Sequence, residues 1–413
     1  MVQYTRRNTP PRPYFMPSTN SISFHHTRRP PATSAAPPLR SLTLRLVTFV
    51  TDTPTPAIAL AVRHTRARVL VVAPPSQRGA VTRMGAEWYN MTAAAHASAR
   101  WAARYRHMST NSPAYERFCL QRWLMLRDAV RTLALPADSA IACLDSDILL
   151  FRDPARWLAD LVAFAPAAAP LPQLAVVIEG AFVIHSLRTL GDFARYLEWL
   201  YEQPVAALAA EIAQHSQARP LNSVHREARH ALSGSLLREF NRSAPHTFQQ
   251  WSDMPAMAAF CATNAAKRSN AGLVGAHCTR AWHVGTAGDS ETQAWRPNCT
   301  VHALADGGGR GFLQVLMSAE RERDPDRSRE GSKDAPAPLG SGTPAQRWAA
   351  AWRWRAGAPL APPQNRTLAA RGCRYRAVCL AHLQGAGLKA MIGPLAARAL
   401  QDRASGGTSE TLP

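Results

Sequence analysis

The run Ile141-Ala-Cys-Leu-Asp145-Ser-Asp147-Ile-Leu-Leu-Phe151 constrains this chain more than any other stretch. Apolar residues precede Asp145 and follow Asp147, the pattern of a strand buried on both faces of a parallel sheet. A carboxylate is costly to bury unless it is paired or bound to a metal, so the two aspartates belong where the strand leaves the sheet. That is the edge at which open α/β sheets bind ligands. In an extended or turning segment, residues two apart can point the same way. Two carboxylates offered together make a hard oxygen site for Mg²⁺ or Mn²⁺, and such an ion can bridge a diphosphate. The bland alternative is a turn that caps a helix near Asp153-Pro154. The apolar flanks on both sides favour the metal.

Residues before and after this run organise around it. Residues 1–40 have no acidic residue and repeated prolines, cannot bury enough to fold, and read as a disordered or targeting arm. They contain no signal-peptide core and no transmembrane run, so no membrane anchor is visible. Leu42 to Val50 reads as a first strand, Ala57 to Thr65 as a helix, and Ala67 to Val72 as a second strand, a parallel start of right-handed sense. Pro113 to Leu133 is a helix with one apolar face, carrying Arg122. Leu174 to Ile178 is a further strand. Gly180 follows it, permitting either a close approach of backbone to a ligand or a bulge. Leu187 to Tyr201 is an amphipathic helix, and residues 203–247 read as polar-helical. Trp251-Ser-Asp253-Met-Pro255 is a helix start with Asp253 at the N-cap. His277, His283 and His302 lack ligand spacing, and Glu320 to Ala345 reads as a linker or surface insertion. Near the end, a strand from Ala377 leads to His382, then Gly385, Gly387 and Lys389. An imidazole can complete a metal shell, glycine amides can approach phosphate oxygens, and a lysine can offset leaving-group charge.

Charge and cysteines narrow the partners. The formal net charge is +20, but only Lys267, Lys333 and Lys389 are lysines, and the arginines are scattered along an Ala-, Arg- and Pro-rich chain. No nucleic-acid partner is expected from so dispersed a charge, whereas an anionic substrate suits it. The 7 cysteines show no Cys-x-x-Cys spacing, which argues against structural zinc. Asn90, Asn241, Asn298 and Asn365 each open an Asn-x-Ser/Thr acceptor. This points to the secretory lumen, where disulfides form; a plastid or soluble location is the alternative.

Taken together these pieces resemble a nucleotide-sugar-dependent glycosyltransferase of the GT-A fold, in particular the poorly characterised transferases of algae and plants. The matching residues are Phe118-Cys-Leu-Gln-Arg122-Trp, Leu144-Asp145-Ser146-Asp147-Ile-Leu-Leu-Phe151, the Phe182 to Tyr201 segment, Trp251-Ser-Asp253-Met254 and His382-Leu-Gln-Gly385. The resemblance implies an α/β fold, a Rossmann-like mixed and mainly parallel sheet flanked by helices. The chain then divides into a catalytic domain at 41–319, a linker or surface insertion at 320–345, a segment at 346–395 that packs back on the domain, and a tail at 396–413. It implies transfer of a sugar from a nucleotide-diphosphate donor to a hydroxyl on a glycan or protein, by a hexosyl- or pentosyltransferase of the Golgi lumen. Asp145, Asp147 and His382 would hold Mn²⁺ or Mg²⁺. Thr51, Asp52, Arg122, Ser146, Gly180, Gly385 and Lys389 would bind the donor, and Asp253 would be catalytic. Lys389 falls seven residues after His382, whereas related families place it at six. Two competing readings are an inactive glycan-binding protein of the same fold and a haloacid-dehalogenase-type phosphatase with Asp145 as nucleophile.

Overall fold

The computed structural model describes residues 43–155, 158, 174–178, 180–224, 226–241, 246–263, 265–273, 282–283, 300–305, 312–322, 346, 349, 353–355, 358–361, 375–384 and 386–405. Its frame is a seven-stranded sheet that starts at β1 (Leu44–Val50). Helix α1 (Pro56–His64) leads to β2 (Arg68–Ala73), which pairs parallel to β1, and β3 (Glu87–Asn90) adds parallel to β2. The chain then crosses through α2 (Pro113–Arg131) to β4 (Ala140–Leu144), parallel to β1 on its other side. The order therefore reverses between β1 and β4. This is the switch point where strand ends diverge and leave a crevice. Beyond β4, β7 (Ala181–Ile184) runs antiparallel to β4 and β6 (Leu174–Ile178) antiparallel to β7, so β6 regains the common direction, and β10 (Trp282–His283) closes the sheet parallel to β6. The α/β class, mixed and mainly parallel, is the one expected.

The apolar run around the aspartates folds differently from the single strand expected. It makes two strands in two sheets. The Asp145 amide donates to Gly180 O at 2.8 Å and the Ile148 amide to Asp145 O at 3.0 Å. The chain thus turns at Asp145-Ser146-Asp147 and re-emerges as β5 (Ile148–Leu150). β5 pairs antiparallel with β15 (Tyr375–Gln384), with His382 opposite Ile148. That second sheet, with β11 (Thr300–Ala305), β12 (Phe312–Glu322), β13 (Arg353–Arg355) and β14 (Ala358–Ala361), is antiparallel, and the sequence had not announced it. Every residue of β4 and β5 is buried, which explains why both halves of the run are apolar.

Three further differences have local causes. β12 extends to Glu322, into the segment read as a linker; residues 323–345 lie outside the described residues. Residues 203–247 hold helices but also the start of a two-stranded antiparallel sheet, β8 (Gln217–Pro220) against β9 (Thr247–Gln250), whose short polar strands gave no periodic signal. The expected tail at 396–413 begins inside a helix, Ile392–Ser405, with Ala396 and Ala399 packed in one core with Ala57 and Leu60 of α1.

The core on the α2 face is built from aromatic rings. Trp123 meets Phe182 edge-on at 5.3 Å and Phe193 at 5.6 Å, joining α2 to β7 and to α3 (Leu187–Glu202). Helix α2 begins as its residues dictate, with Pro113 in the first turn and the Ser112 hydroxyl accepting from the Tyr115 amide at 3.4 Å. Of the acceptor asparagines, Asn90 caps a short helix by accepting from Thr92 N at 3.0 Å, and Asn298 and Asn365 lie outside the described residues. Cys261 is disulfide-bonded. Among the described residues no helix is long and apolar enough to cross a membrane.

Candidate active site

The carboxyl ends of β1 and β4 bring Thr51, Asp52 and the Asp145-Ser146-Asp147 turn to one edge. The two aspartates face different partners. Asp147 looks toward the second sheet, where His382 Nε2 stands 3.4 Å from its Oδ1 and Lys389 Nζ 2.9 Å from its Oδ2. Lys389 reaches it from a one-turn helix, Ala386–Lys389, that follows β15 directly. His382 is not at the strand end, as the sequence suggested, but two residues inside it, and the Leu383 amide donates to Asp147 O at 3.3 Å. Burial would raise the Asp147 carboxyl, but His382 and Lys389 outweigh it and hold it at about 2.

Asp145 turns the other way, onto Arg122 of α2. The same guanidinium gives its other terminal nitrogen to Asp253 Oδ2 at 2.6 Å, so one cation joins two carboxylates. Its flat faces lie 5.2 Å from the rings of both Trp123 and Phe182. Burial pushes Asp145 above the ordinary carboxylate range against the pull of Arg122. Two carboxylates only two residues apart thus sit in opposite surroundings.

Arg122 is engaged by both Asp145 and Asp253. Asp253 is the first residue of α4 (Asp253–Cys261), not its N-cap; Ser252 occupies the cap position and makes no side-chain cap bond. The Asp253 carboxylate is drawn to Arg122 instead. Thr51 spends its hydroxyl in its own turn, donating to Thr53 O at 2.9 Å and accepting from Thr53 N at 3.2 Å, while Asp52 beside it is exposed. Ser146 enters through its backbone, whose carbonyl accepts from the Thr55 hydroxyl. Gly385 lies outside the described residues.

Gly180 makes its close approach to Asp145. Its φ is 79°, and a Cβ there would stand 2.8 Å from Asp145 Oδ2 and 3.2 Å from Cγ. Gly180→Ala is therefore expected to cost about 1–3 kcal/mol, from the left-handed backbone and the displaced carboxylate together. Chemical denaturation of the two proteins measures it, and an unchanged midpoint would remove the constraint.

Sequence reasoning missed Glu116. It lies on the buried stripe of α2 with Leu120, Trp123 and Leu124, and it is only 1% exposed. Its Oε2 accepts from Ser109 Oγ at 2.7 Å and Asn111 Nδ2 at 2.8 Å. Burial pushes its carboxyl up to about 7, Asp253 adds to the rise, and Asn111, Ser109 and Arg122 oppose it. The available signal was a charge at the first position of an i, i+4, i+7, i+8 apolar pattern.

The donor chemistry for a divalent ion is partly present. Asp147 Oδ1 is buried beside His382 Nε2. Neighbouring ligands of one octahedral ion, each about 2.1 Å from it, stand roughly 3 Å apart, which is near the spacing of this oxygen and His382 Nε2. A carboxylate suits Mg²⁺ or Mn²⁺, and an imidazole beside it favours a transition-metal ion over Mg²⁺. Asp145 is not turned toward them, and among the described residues no three His, Cys, Asp or Glu side chains group so that they could hold an ion.

No protein-family model matches the chain, and no curated protein does. Among solved structures it is similar to apo mouse xyloside xylosyltransferase 1, at 9% identity and a TM-score of 0.30, over 49% of this chain and 83% of that one. It is also similar to the glycosyltransferase GlyE of Streptococcus pneumoniae TIGR4, at 15% identity and a TM-score of 0.22, over 49% of this chain and 44% of that one. The apo form of GlyE gives 14% identity and a TM-score of 0.23, over 51% and 46%. At these TM-scores no activity is carried over from them.

Proposed function

We propose that this chain is a divalent-metal-dependent glycosyltransferase, moving a sugar from a nucleotide-diphosphate donor to a hydroxyl of a glycan or protein. The observation that supports the reading is the meeting of Asp147 with His382 at 3.4 Å, beside the switch point of a Rossmann-like sheet. These two residues are far apart in sequence: Asp147 lies in the turn between β4 and β5, and His382 on β15, which pairs with β5. In our reading Asp147 and His382 hold Mn²⁺ or Mg²⁺, with Asp145 completing the set once it turns from Arg122. When bound, the ion would supply neutralisation of charge on the departing diphosphate.

The remaining roles follow from what each side chain can do. Lys389, about half exposed beside Asp147, would meet a phosphate oxygen. Asp52 is the candidate for the nucleotide, and Ser146 and Gly385 would shape the donor pocket. Asp253, buried and charge-paired with Arg122, would orient the acceptor hydroxyl or take its proton. The four glycosylation acceptors and the disulfide at Cys261 support a secretory, Golgi-type compartment.

A panel of nucleotide-sugars assayed for Mn²⁺-dependent hydrolysis tests the reading; no turnover of any donor, with metal saturating, would sink it. Asp253→Asn separates chemistry from salt-bridge maintenance. The amide cannot accept a proton at neutral pH, so a fall of about 10²–10⁴ in kcat is expected, well beyond what the loss of stability explains, since Asp145 still pairs with Arg122. Activity that declines only in step with stability would leave Asp253 as a counterion of Arg122.

A further inference from the structure

We infer that Glu116 is a positioning residue for Asp253, acting through the chain segment at residues 108–111. The inference rests on the proposed function only in giving Asp253 its role. From Glu116 the contacts run in one direction. Ser109 Oγ donates to the Glu116 carboxylate and itself accepts from Gln250 Nε2 at 3.0 Å. Gln250 Oε1 accepts from the Thr110 amide at 3.1 Å, and the Trp251 amide donates to Met108 O at 2.6 Å. Gln250 and Trp251 immediately precede Ser252 and Asp253, where α4 opens.

One rigid helix therefore fixes Asp253 twice. Arg122 of α2 grips its carboxylate directly, and Glu116, six residues earlier on α2, anchors the backbone that delivers it. A side chain made only for packing would not be a carboxyl here. Among the described residues, Glu116 Oε1 is buried with no hydrogen-bond partner. Burial first, and then the nearby Glu116 carboxylate, push the pKa of the Tyr201 hydroxyl up. A buried polar atom left without a partner is costly, and a neutral apolar residue would avoid the cost. What the carboxyl provides is an oxygen that accepts from two side chains of the 108–111 segment at once.

The test compares Glu116→Ala, Glu116→Gln and the milder Ser109→Ala in the full chain. Three quantities are read: amide hydrogen exchange at Thr110 and Trp251, the carboxyl carbon resonance of Asp253, and kcat against KM for a donor that is turned over. In Glu116→Ala we expect exchange at both amides to rise about tenfold or more, the Asp253 resonance to move, and kcat to fall about tenfold with donor KM unchanged. Glu116→Gln keeps an acceptor oxygen and should restore all three to within about threefold. Ser109→Ala, which removes the same link from its other end, should repeat the exchange and resonance changes. Unchanged exchange and resonance in both alanine variants would overturn the inference. So would faster exchange with an unmoved Asp253 resonance, which is the mark of a clamp that serves the fold alone. A chain that turns over no donor would refute the transferase while leaving exchange and resonance to decide this point.

Discussion

Arg122→Met lowers the stability of the fold by about 3–5 kcal/mol, the largest loss expected from one side chain here. The reason is the company the guanidinium keeps. Its side chain is 12% exposed, and it is shared by Asp145 and Asp253, whose side chains are 28% and 10% exposed. Removing one partner of a buried ion pair leaves the other charge uncompensated, and that is what costs 3–5 kcal/mol in typical cases. Here two carboxylates are left at once, though the partly exposed Asp145 can recover some hydration. Methionine keeps the packing against Trp123 and Phe182, so the loss would report charge and not volume. Denaturant unfolding at neutral pH measures it. A loss below about 1 kcal/mol would mean that the three side chains are not coupled.

Asp147→Ala should remove Mn²⁺-dependent donor turnover by about a thousandfold or more while the protein stays folded, since a metal site deprived of a principal ligand loses the charge stabilisation it supplies. Its effect on stability has the opposite character to that of Arg122. Asp147 lies beside Lys389, which is 54% exposed and can return to water. His382 is more buried, so a modest loss is expected from it. Metal binding measured without any substrate separates the two roles. Mn²⁺ affinity that is identical in the wild type and the variant would remove Asp147 from the metal site, whatever happens to activity.

The parts of this arrangement that were legible in the sequence are those carried by local pattern. Leu44–Val50, Pro113–Arg131 and Leu187–Glu202 announced themselves through apolar spacing and capping residues, and the aspartates stood out as charges inside an apolar run. What stayed hidden depended on partners distant in sequence. Nothing near Ile148 says that the strand will leave one sheet and pair with Leu380–His382 of another. Asp253 looked like a cap because Ser-Asp before Met-Pro is a common helix start; only the tertiary position of Arg122 draws its carboxylate away. Gly180 could have served a ligand or a bulge, and its tight contact with Asp145 is visible only once β4 and β7 lie side by side. Glu116 passed unnoticed because a charge on a long helix is usually solvated.

The pairing of β5 with β15 also imposes an order in time. Asp147 is synthesised well before His382 and Lys389, which come from β15 and the helix turn after it. At ordinary rates of translation the interval between them is roughly 10–50 s. Throughout that interval the nascent chain carries one wall of the cleft without the other. Binding at Asp147 that requires both walls belongs only to a chain whose β15 has emerged and docked, so the architecture delays competence by that interval.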